Sequence, residues 1–158
     1  MRRDPVGPGQ ESVWDYPRPP RVEPVPETVQ VVLGGRVLAE TRRALRTLET
    51  SHPPVYYVPM ADVVAGRLTP GRGTTFCEYK GRAVYWDAEG VEAVGWSYPE
   101  PSPGYEQLAD HVAFYPGRVD QATVGGEVVT PQEGGFYGGW ITARVVGPFK
   151  GAPGTTWW

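Results

Sequence analysis

The sequence predicts an all-β domain, and three observations support this fold class. Short apolar and aromatic runs alternate with Gly and Pro along most of the chain. The pairs Gly34-Gly35 and Gly125-Gly126 each separate two apolar runs, which is typical of β-hairpins because both turn positions can adopt a positive φ. The 21 glycines and 18 prolines make up about a quarter of the chain, which favours short strands over long helices.

Length and charge set the outer limits. At 158 residues we expect one β domain over residues 13–158, preceded by a polar, Gly- and Pro-rich tail over residues 1–12 that we expect to be flexible. The net charge of −3 gives no electrostatic reason to expect nucleic acid or an anionic membrane as a partner. No apolar run reaches the roughly 20 residues of a membrane span, and no apolar stretch follows the N-terminal arginines. These observations predict a cytoplasmic protein.

The N-terminal third predicts an arm, a hairpin and a helix. Residues 14–26 contain five prolines, so this arm cannot be a central strand. A hairpin is predicted over 29–33 and 36–40. Thr41 then resembles a helix N-cap, and Leu45 and Leu48 lie three residues apart, which predicts one short helix near residues 41–50.

Further strands are predicted along the rest of the chain. They cover 55–58, 74–86, 91–98, 109–115, 121–124, 127–130 and 140–146, with a helical turn over 60–64. The segment QVVLGGRVL at 30–38 resembles QATVGGEVV at 121–129, and VYYVP at 55–59 resembles VAFYP at 112–116. Either these echoes reflect a pseudo-symmetric fold, or Gly-Gly hairpins simply look alike.

Aromatic blocks broken by Pro or Gly are the most distinctive motifs. They read WDYPRPP at 14–20, SHPPVYYVP at 51–59, CEYKG at 77–81, GWSYP at 95–99, AFYP at 113–116 and FYGGW at 136–140. On these blocks the chain, from Trp14 to Trp158, resembles the bacterial family catalogued as domain of unknown function 427. The resemblance implies a β-tent-like fold with splayed antiparallel sheets. Many β-tent proteins hold zinc through paired Cys-x-x-Cys motifs, which this sequence lacks, so we expect no metal and no cofactor.

The segment 77–86 offers the best candidates for chemistry. If it is a strand, Glu78, Lys80 and Arg82 share one face. Such a row of charges is either a solvated surface or the polar wall of a pocket, and the matched family block favours the pocket. Lys80 would then bind an anionic group or act as a desolvated amine, and Glu78 would pair with it or act as a base.

Two further side chains are candidates with alternatives. Cys77 is the only thiol, and it is either a nucleophile with His52 or His111 as its base or a small buried hydrophobe. His52 either caps the end of the predicted helix or faces the site.

Together these residues predict a domain that binds a small, anionic organic molecule in an aromatic-lined pocket. The ligand-binding candidates are Trp14, Tyr16, Arg18, His52, Tyr57, Glu78, Lys80, Arg82 and Tyr98. One alternative is an enzyme that uses the same pocket, with Lys80, Glu78, His52 and Cys77 as catalytic candidates. A nucleotide-directed activity is associated with the family's name, although the sequence has no acidic metal pair. The other alternative is a structural or protein-interaction domain, and a homo-oligomer stays open.

Overall fold

A computed structural model describes all residues, 1–158, and contains fifteen β-strands and no α-helix. The strands are β1 (Glu11–Ser12), β2 (Arg21–Val25), β3 (Val29–Leu33), β4 (Arg36–Thr41), β5 (Ala44–Leu48), β6 (Val55–Pro59), β7 (Thr69–Cys77), β8 (Gly81–Ala88), β9 (Val91–Ser97), β10 (His111–Phe114), β11 (Gln121–Val124), β12 (Glu127–Val128), β13 (Thr130–Pro131), β14 (Trp140–Ile141) and β15 (Val145–Val146). Four single 3-10 turns cover Val13–Asp15, Met60–Asp62, Glu106–Leu108 and Pro116–Arg118. The all-β prediction is confirmed, and none of the helical turns has the length or apolarity to cross a membrane.

Two antiparallel sheets make up most of the fold. The larger sheet has seven strands in the order β2-β5-β6-β10-β9-β8-β7, and the smaller has four in the order β12-β11-β3-β4. Strands β13 and β14 form a small antiparallel pair, while β1 and β15 pair in parallel and bring the two ends of the chain together. The antiparallel sheets that the family resemblance implies are therefore present.

The main core lies between the two large sheets. Along β3 every second side chain is buried, and these valines and leucine face residues of β6, β9 and β10. The buried set includes Val31, Leu33, Tyr56, Phe114 and Trp140. Tyr56 and Phe114 belong to the seven-stranded sheet. Because side chains alternate along a strand, the residues next to them point to the opposite face of this sheet, which we call the outer face.

The two Gly-Gly hairpins form as predicted. Gly34 and Gly35 have φ values of 64° and 72°, a region that few other residues adopt. The two hairpins lie side by side because β3 pairs with β11, and β6 likewise pairs with β10. The segments that echo one another in the sequence are thus neighbours in space, in agreement with the pseudo-symmetric interpretation.

The predicted helix near residues 41–50 is wrong, because this segment forms β5. The backbone of β5 pairs with β2 on one side and with β6 on the other. Leu45 and Leu48 therefore lie on opposite faces of a sheet and do not form one helical stripe. Thr41 uses its hydroxyl in the tight turn before β5, where it accepts a hydrogen bond from the Arg43 N–H and donates one to Asp62. Pairing on both edges overrides the weak local preference for a helix.

The predicted single strand over residues 74–86 is also wrong, because it is a hairpin of β7 and β8 with a turn at residues 78–80. Gly81 allows this turn through its φ of 109°. Glu78 and Lys80 lie in the turn, so they do not share a strand face with Arg82. Strand β7 ends the sheet and carries an irregularity in its register between Pro70 and Thr74.

The proline-rich arm lies at the other edge of the seven-stranded sheet. Its strand β2 pairs only with β5, so Pro24 causes no loss inside the sheet. The buried guanidinium of Arg46 fastens this edge, because its Nε donates to Glu23 at 2.7 Å and its Nη2 lies 3.1 Å from Glu11. Arg144, next to β15, also contacts Glu11 at 2.7 Å. Residue 11 of the predicted tail is thereby tied to the domain.

Candidate functional site

A cavity of about 320 Å³ opens on the outer face of the seven-stranded sheet. Seven aromatic side chains line it, namely Phe76, Tyr85, Trp96, Tyr98, Tyr115, Phe136 and Tyr137. Its polar lining consists of Thr47, Glu49, His52, Thr75, Cys77, Lys80 and Gln132. The cavity thus combines apolar rings with a few polar groups.

Strand register places the rings of the cavity floor side by side. Tyr85 on β8 lies opposite Trp96 on β9, and Trp96 in turn lies opposite Ala113 on β10. Ala83, two residues before Tyr85, faces the same side and lines the cavity with only a methyl group. The alternation of large rings with small side chains leaves open space above the sheet.

The loop of residues 132–139 covers one side of the cavity. Gly138 lies directly against the indole of Trp96, and a Cβ atom at this position would overlap that ring. The next residue, Gly139, donates its N–H to Oε1 of Gln132 at 3.1 Å. Glycine is therefore required at Gly138 for the loop to pack onto Trp96.

Lys80 brings a positive charge into this apolar environment. Its side chain is buried, with 8% of the residue exposed, and its Nζ lies 6.0 Å from the centre of the Tyr98 ring. Lys80 takes part in none of the ion pairs of the structure. Its backbone N–H donates to the Cys77 thiol at 3.4 Å, which closes the turn. The ammonium group consequently has no carboxylate of its own.

The amide of Gln132 fixes the protonation of His52. Its Oε1 accepts from Gly139, so its Nε2 is the atom that donates to the Lys150 carbonyl at 2.6 Å and contacts Nδ1 of His52 at 3.3 Å. Nδ1 must then be the acceptor, which assigns the proton of a neutral imidazole to Nε2. That Nε2–H lies 3.7 Å from a carboxylate oxygen of Glu49, beyond hydrogen-bond distance.

Burial and nearby cations keep His52 uncharged. Burial is the largest cause, and the positive charges of Lys150, Lys80 and Arg18 act in the same direction, lowering the pKa of His52 from 6.5 to about 4. The Glu49 carboxylate, with an oxygen 3.7 Å from Nε2, is the one adjacent negative charge. Charges of both signs therefore surround His52.

Four of the predicted site residues line the cavity: His52, Cys77, Lys80 and Tyr98. Tyr57 lies beside Tyr98, with their ring centres 6.5 Å apart, and is fully buried. Its hydroxyl has no hydrogen-bond partner, and burial raises the pKa of this phenol. Tyr57 thus supports the wall without lining it.

Three predicted residues of the N-terminal arm lie outside the cavity. The ring of Trp14 contacts that of Trp158, with their centres 5.4 Å apart, and the Tyr16 hydroxyl donates to Glu11 at 2.6 Å. Arg18 donates to backbone carbonyls, and its Nε lies 3.8 Å from Glu49. Arg18 therefore lies outside the cavity, where it contacts Glu49 and acts on His52 through its charge.

The remaining two predicted residues also lie elsewhere. Glu78 lines a separate, open groove together with Tyr79, Pro20 and Tyr105. Arg82 is exposed on β8 and is absent from the cavity lining. The structure does not bring either residue together with Lys80 and His52.

Several residues of the cavity were not predicted as site residues from the sequence. Tyr115 and Tyr137 belong to the aromatic blocks AFYP and FYGGW, and these blocks could have indicated that both residues line the cavity. Glu49 and Gln132 carry no motif, because their roles depend on contacts between distant segments. No group of three or more His, Cys, Asp or Glu side chains converges in the structure.

The fold and the site define an all-β domain with an aromatic-lined cavity on the outer face of its larger sheet. The chain belongs to the family described as domain of unknown function (DUF427), whose sequence model matches residues 21–125. This range covers strands β2 to β11 and includes His52, Lys80 and Trp96, whereas Gln132 and Gly138 lie beyond it. A search of the curated proteins found no match to the chain.

Proposed function

We propose that this domain binds a small organic anion in the cavity of its outer face. The observation that carries the proposal is Lys80, whose largely buried side chain brings an ammonium without a carboxylate partner to the cavity. A charge that keeps only limited contact with water is compensated more fully when an opposite charge comes close. An anionic ligand would supply that compensation, so binding would be favoured at this position.

The charges around the cavity also favour an anionic ligand. Three cations, Lys150, Lys80 and Arg18, act on His52 and lower its pKa, against one adjacent carboxylate, that of Glu49, so these four groups carry a net positive charge. In a partly buried site such a charge is screened less than at an exposed surface. An anion would be attracted there more strongly than a neutral molecule of the same shape.

The size and lining of the cavity support a small ligand. Ligand pockets usually measure about 300–1,000 Å³ and combine mostly apolar walls with a few polar groups. At about 320 Å³, this cavity lies at the lower end of that range. Its rings would supply apolar contact, and Lys80 would select the charge.

Binding is favoured over catalysis by the state of His52. Its Nδ1 is engaged by Gln132, and its Nε2 carries the proton, so neither nitrogen offers a free lone pair to a substrate. With a pKa of about 4 it would also be a weak base near neutral pH. An enzyme that uses Lys80 or Cys77 is the second candidate, because both line the cavity.

A thermal-shift screen tests the proposal. The full-length protein would be heated with a library of small organic anions, each matched by its neutral amide or ester, because a ligand that binds only the folded state raises the unfolding temperature. We expect a subset of anions to raise it more than their neutral partners. Product formation from each hit would be measured in parallel, since turnover would favour the enzyme.

Two variants distinguish binding that depends on Lys80 in the cavity from non-specific attraction by the positive charge of the hairpin. Lys80→Met keeps the length of the side chain but removes the charge, and we expect it to weaken binding of each hit at least tenfold. Arg82→Met, on the exposed side of the same hairpin, is the matched control and should bind as the unmodified protein does. Equal affinities in the two variants, or no anion that binds better than its neutral partner, would refute the proposal.

A further inference from the structure

The charges that face the cavity match a ligand with one negative charge. Only Lys80 and Glu49 carry a charge among the lining residues, since His52 is neutral near pH 7. Glu49 has its own cation outside the cavity, the Arg18 guanidinium at 3.8 Å. Among the lining side chains one ammonium therefore remains to be balanced, while Lys150, which also acts on His52, is not one of them. A phosphomonoester with two negative charges would place excess charge near the Glu49 carboxylate, which is unfavourable.

The same cavity holds a second donor, on His52. Nε2–H of His52 is held in place by the Gln132 amide and makes no hydrogen bond within the protein, because Glu49 is 3.7 Å away. A carboxylate has two oxygens and can accept from two donors at once, and such charge-assisted bonds are stronger than neutral ones. Lys80 and His52 provide one charged and one neutral donor for such a group.

The walls favour flat rings over aliphatic groups. The rings of Trp96 and Tyr115 lie with their centres 4.6 Å apart, and Tyr98 lies beside Lys80. Aromatic pairs in offset or edge-to-face geometry gain energy beyond the area that they bury. The volume of about 320 Å³ limits the ligand to a small ring system.

Building on the proposed function, we propose that the cavity selects a planar aromatic monocarboxylate of one or two rings. Its carboxylate accepts hydrogen bonds from the Lys80 ammonium and from Nε2–H of His52. Its ring system packs against Trp96 and Tyr98. This assigns the anionic ligand to a chemical class, and it assigns to Gln132 the positioning of the His52 donor.

Four probes with one carbon skeleton test this selectivity. 2-Naphthoate would be compared with 2-naphthamide, which lacks the charge, with decahydro-2-naphthoate, which lacks the flat rings, and with 2-naphthyl phosphate, which carries more charge. Isothermal titration of the full-length protein at pH 7.5 gives the four dissociation constants. We expect 2-naphthoate to bind at least tenfold more tightly than the amide and at least fivefold more tightly than the other two anions.

The variants connect the selectivity to residues. In Lys80→Met the preference for 2-naphthoate over the amide should fall to less than threefold, whereas Arg82→Met should keep it. In Gln132→Leu, which removes the partner of Nδ1, the affinity for 2-naphthoate should fall about threefold or more while that for the amide changes less. A preference that survives in Lys80→Met would overturn the assignment of the carboxylate to this residue.

The outcomes distinguish this inference from the proposed function. Binding of decahydro-2-naphthoate or 2-naphthyl phosphate as tightly as 2-naphthoate would overturn the aromatic monocarboxylate and leave an anion-binding domain. Binding of the amide as tightly as all three anions would refute anion selection and both proposals with it. Absence of binding by every probe would overturn the present inference, while the screen with the wider library would still decide the proposed function.

Discussion

The two faces of the seven-stranded sheet are built from the same strands but serve different purposes. The inner face packs against the four-stranded sheet through residues such as Val58, Val94 and Phe114, and valine is its most frequent buried side chain. The outer face carries Tyr57, Trp96 and further rings, and loops cover it instead of a second sheet. Successive residues of one strand thus belong to two different environments.

The difference follows from what covers each face. A second sheet presents a regular surface, so side chains from both sheets interdigitate and fill the space. The loop of residues 132–139 covers the outer face less completely, and the cavity is the space left over. A buried Lys80 and a neutral His52 are tolerated there because polar groups and solvent are within reach. The inner face contributes the main core, and the outer face contributes the cavity.

The largest effect should come from the inner face. Trp140 is fully buried, stacks on Tyr56 with 4.9 Å between ring centres, and donates its indole N–H to the Phe114 carbonyl. Trp140→Ala should therefore lower the free energy of unfolding by about 3–5 kcal/mol. Urea denaturation measures the change. A loss below about 1 kcal/mol would contradict dense packing of this face.

The same substitution on the outer face should be less damaging. Trp96 lines a cavity that is already open, so its removal enlarges a space instead of creating one. Trp96→Ala should lower the free energy of unfolding by about 2–3 kcal/mol, less than the usual cost of removing a buried tryptophan. Equal losses for Trp96→Ala and Trp140→Ala in the same urea titrations would show that the two faces are packed equally densely.

Acid should lower the free energy of unfolding, because protonation of His52 is easier in the unfolded chain than in the folded protein. Its pKa is about 4 in the folded protein and 6.5 ordinarily, so the unfolded chain takes up the proton first as the pH falls. Stability is therefore lost between about pH 6.5 and pH 4, and the loss reaches about 2 kcal/mol at pH 5. His52→Gln cannot take up this proton, so its loss between pH 7.5 and pH 5 should be smaller by that amount.

Unfolding free energies of both proteins at the two pH values provide the measurement. Carboxylates with a lowered pKa, such as Glu11, titrate in both proteins and cancel in the comparison. Parallel losses in the unmodified protein and in His52→Gln would show that His52 is not held in a desolvated, positive environment.

The smallest effect concerns the loop over the cavity. In Gly138→Ala the new methyl group would overlap the indole of Trp96, and the loop would have to move. Such overpacking should lower the free energy of unfolding by about 1–2 kcal/mol. Gly135→Ala, in the same loop, adds a methyl group into open space and is the matched control, which should stay within about 0.5 kcal/mol of the unmodified protein. Similar values for both variants would mean that the loop does not pack on Trp96.

Much of the four-stranded sheet, which packs on the inner face, could be predicted from the sequence. The Gly-Gly turns require positive φ at both positions, and the alternation in residues 29–33 fixes which side chains are buried. Both are local signals. The helix prediction for residues 41–50 failed because the three-residue spacing of Leu45 and Leu48 is also compatible with a strand. Pairing with β2 and β6 decides between the two.

The outer face was predictable only in part. Lys80 and His52 were recognised from blocks of the sequence, although the strand alternation used for Lys80 was wrong because residues 78–80 form a turn. Gly81 is the only local sequence feature that indicates this turn. Gln132 and Glu49 reach the cavity through the arrangement of distant loops, for which no periodicity exists in the sequence.

The irregularity between Pro70 and Thr74 affects how the outermost strand meets other molecules. An unpaired edge strand as long as β7 can recruit a strand from another chain and so begin aggregation. Pro70 has no N–H to offer, and Gly73, at a φ of 77°, turns the backbone away from a straight ladder. The edge is thereby a poor template for a neighbouring chain, and the hairpin beside the cavity stays accessible to small solutes in a concentrated protein solution.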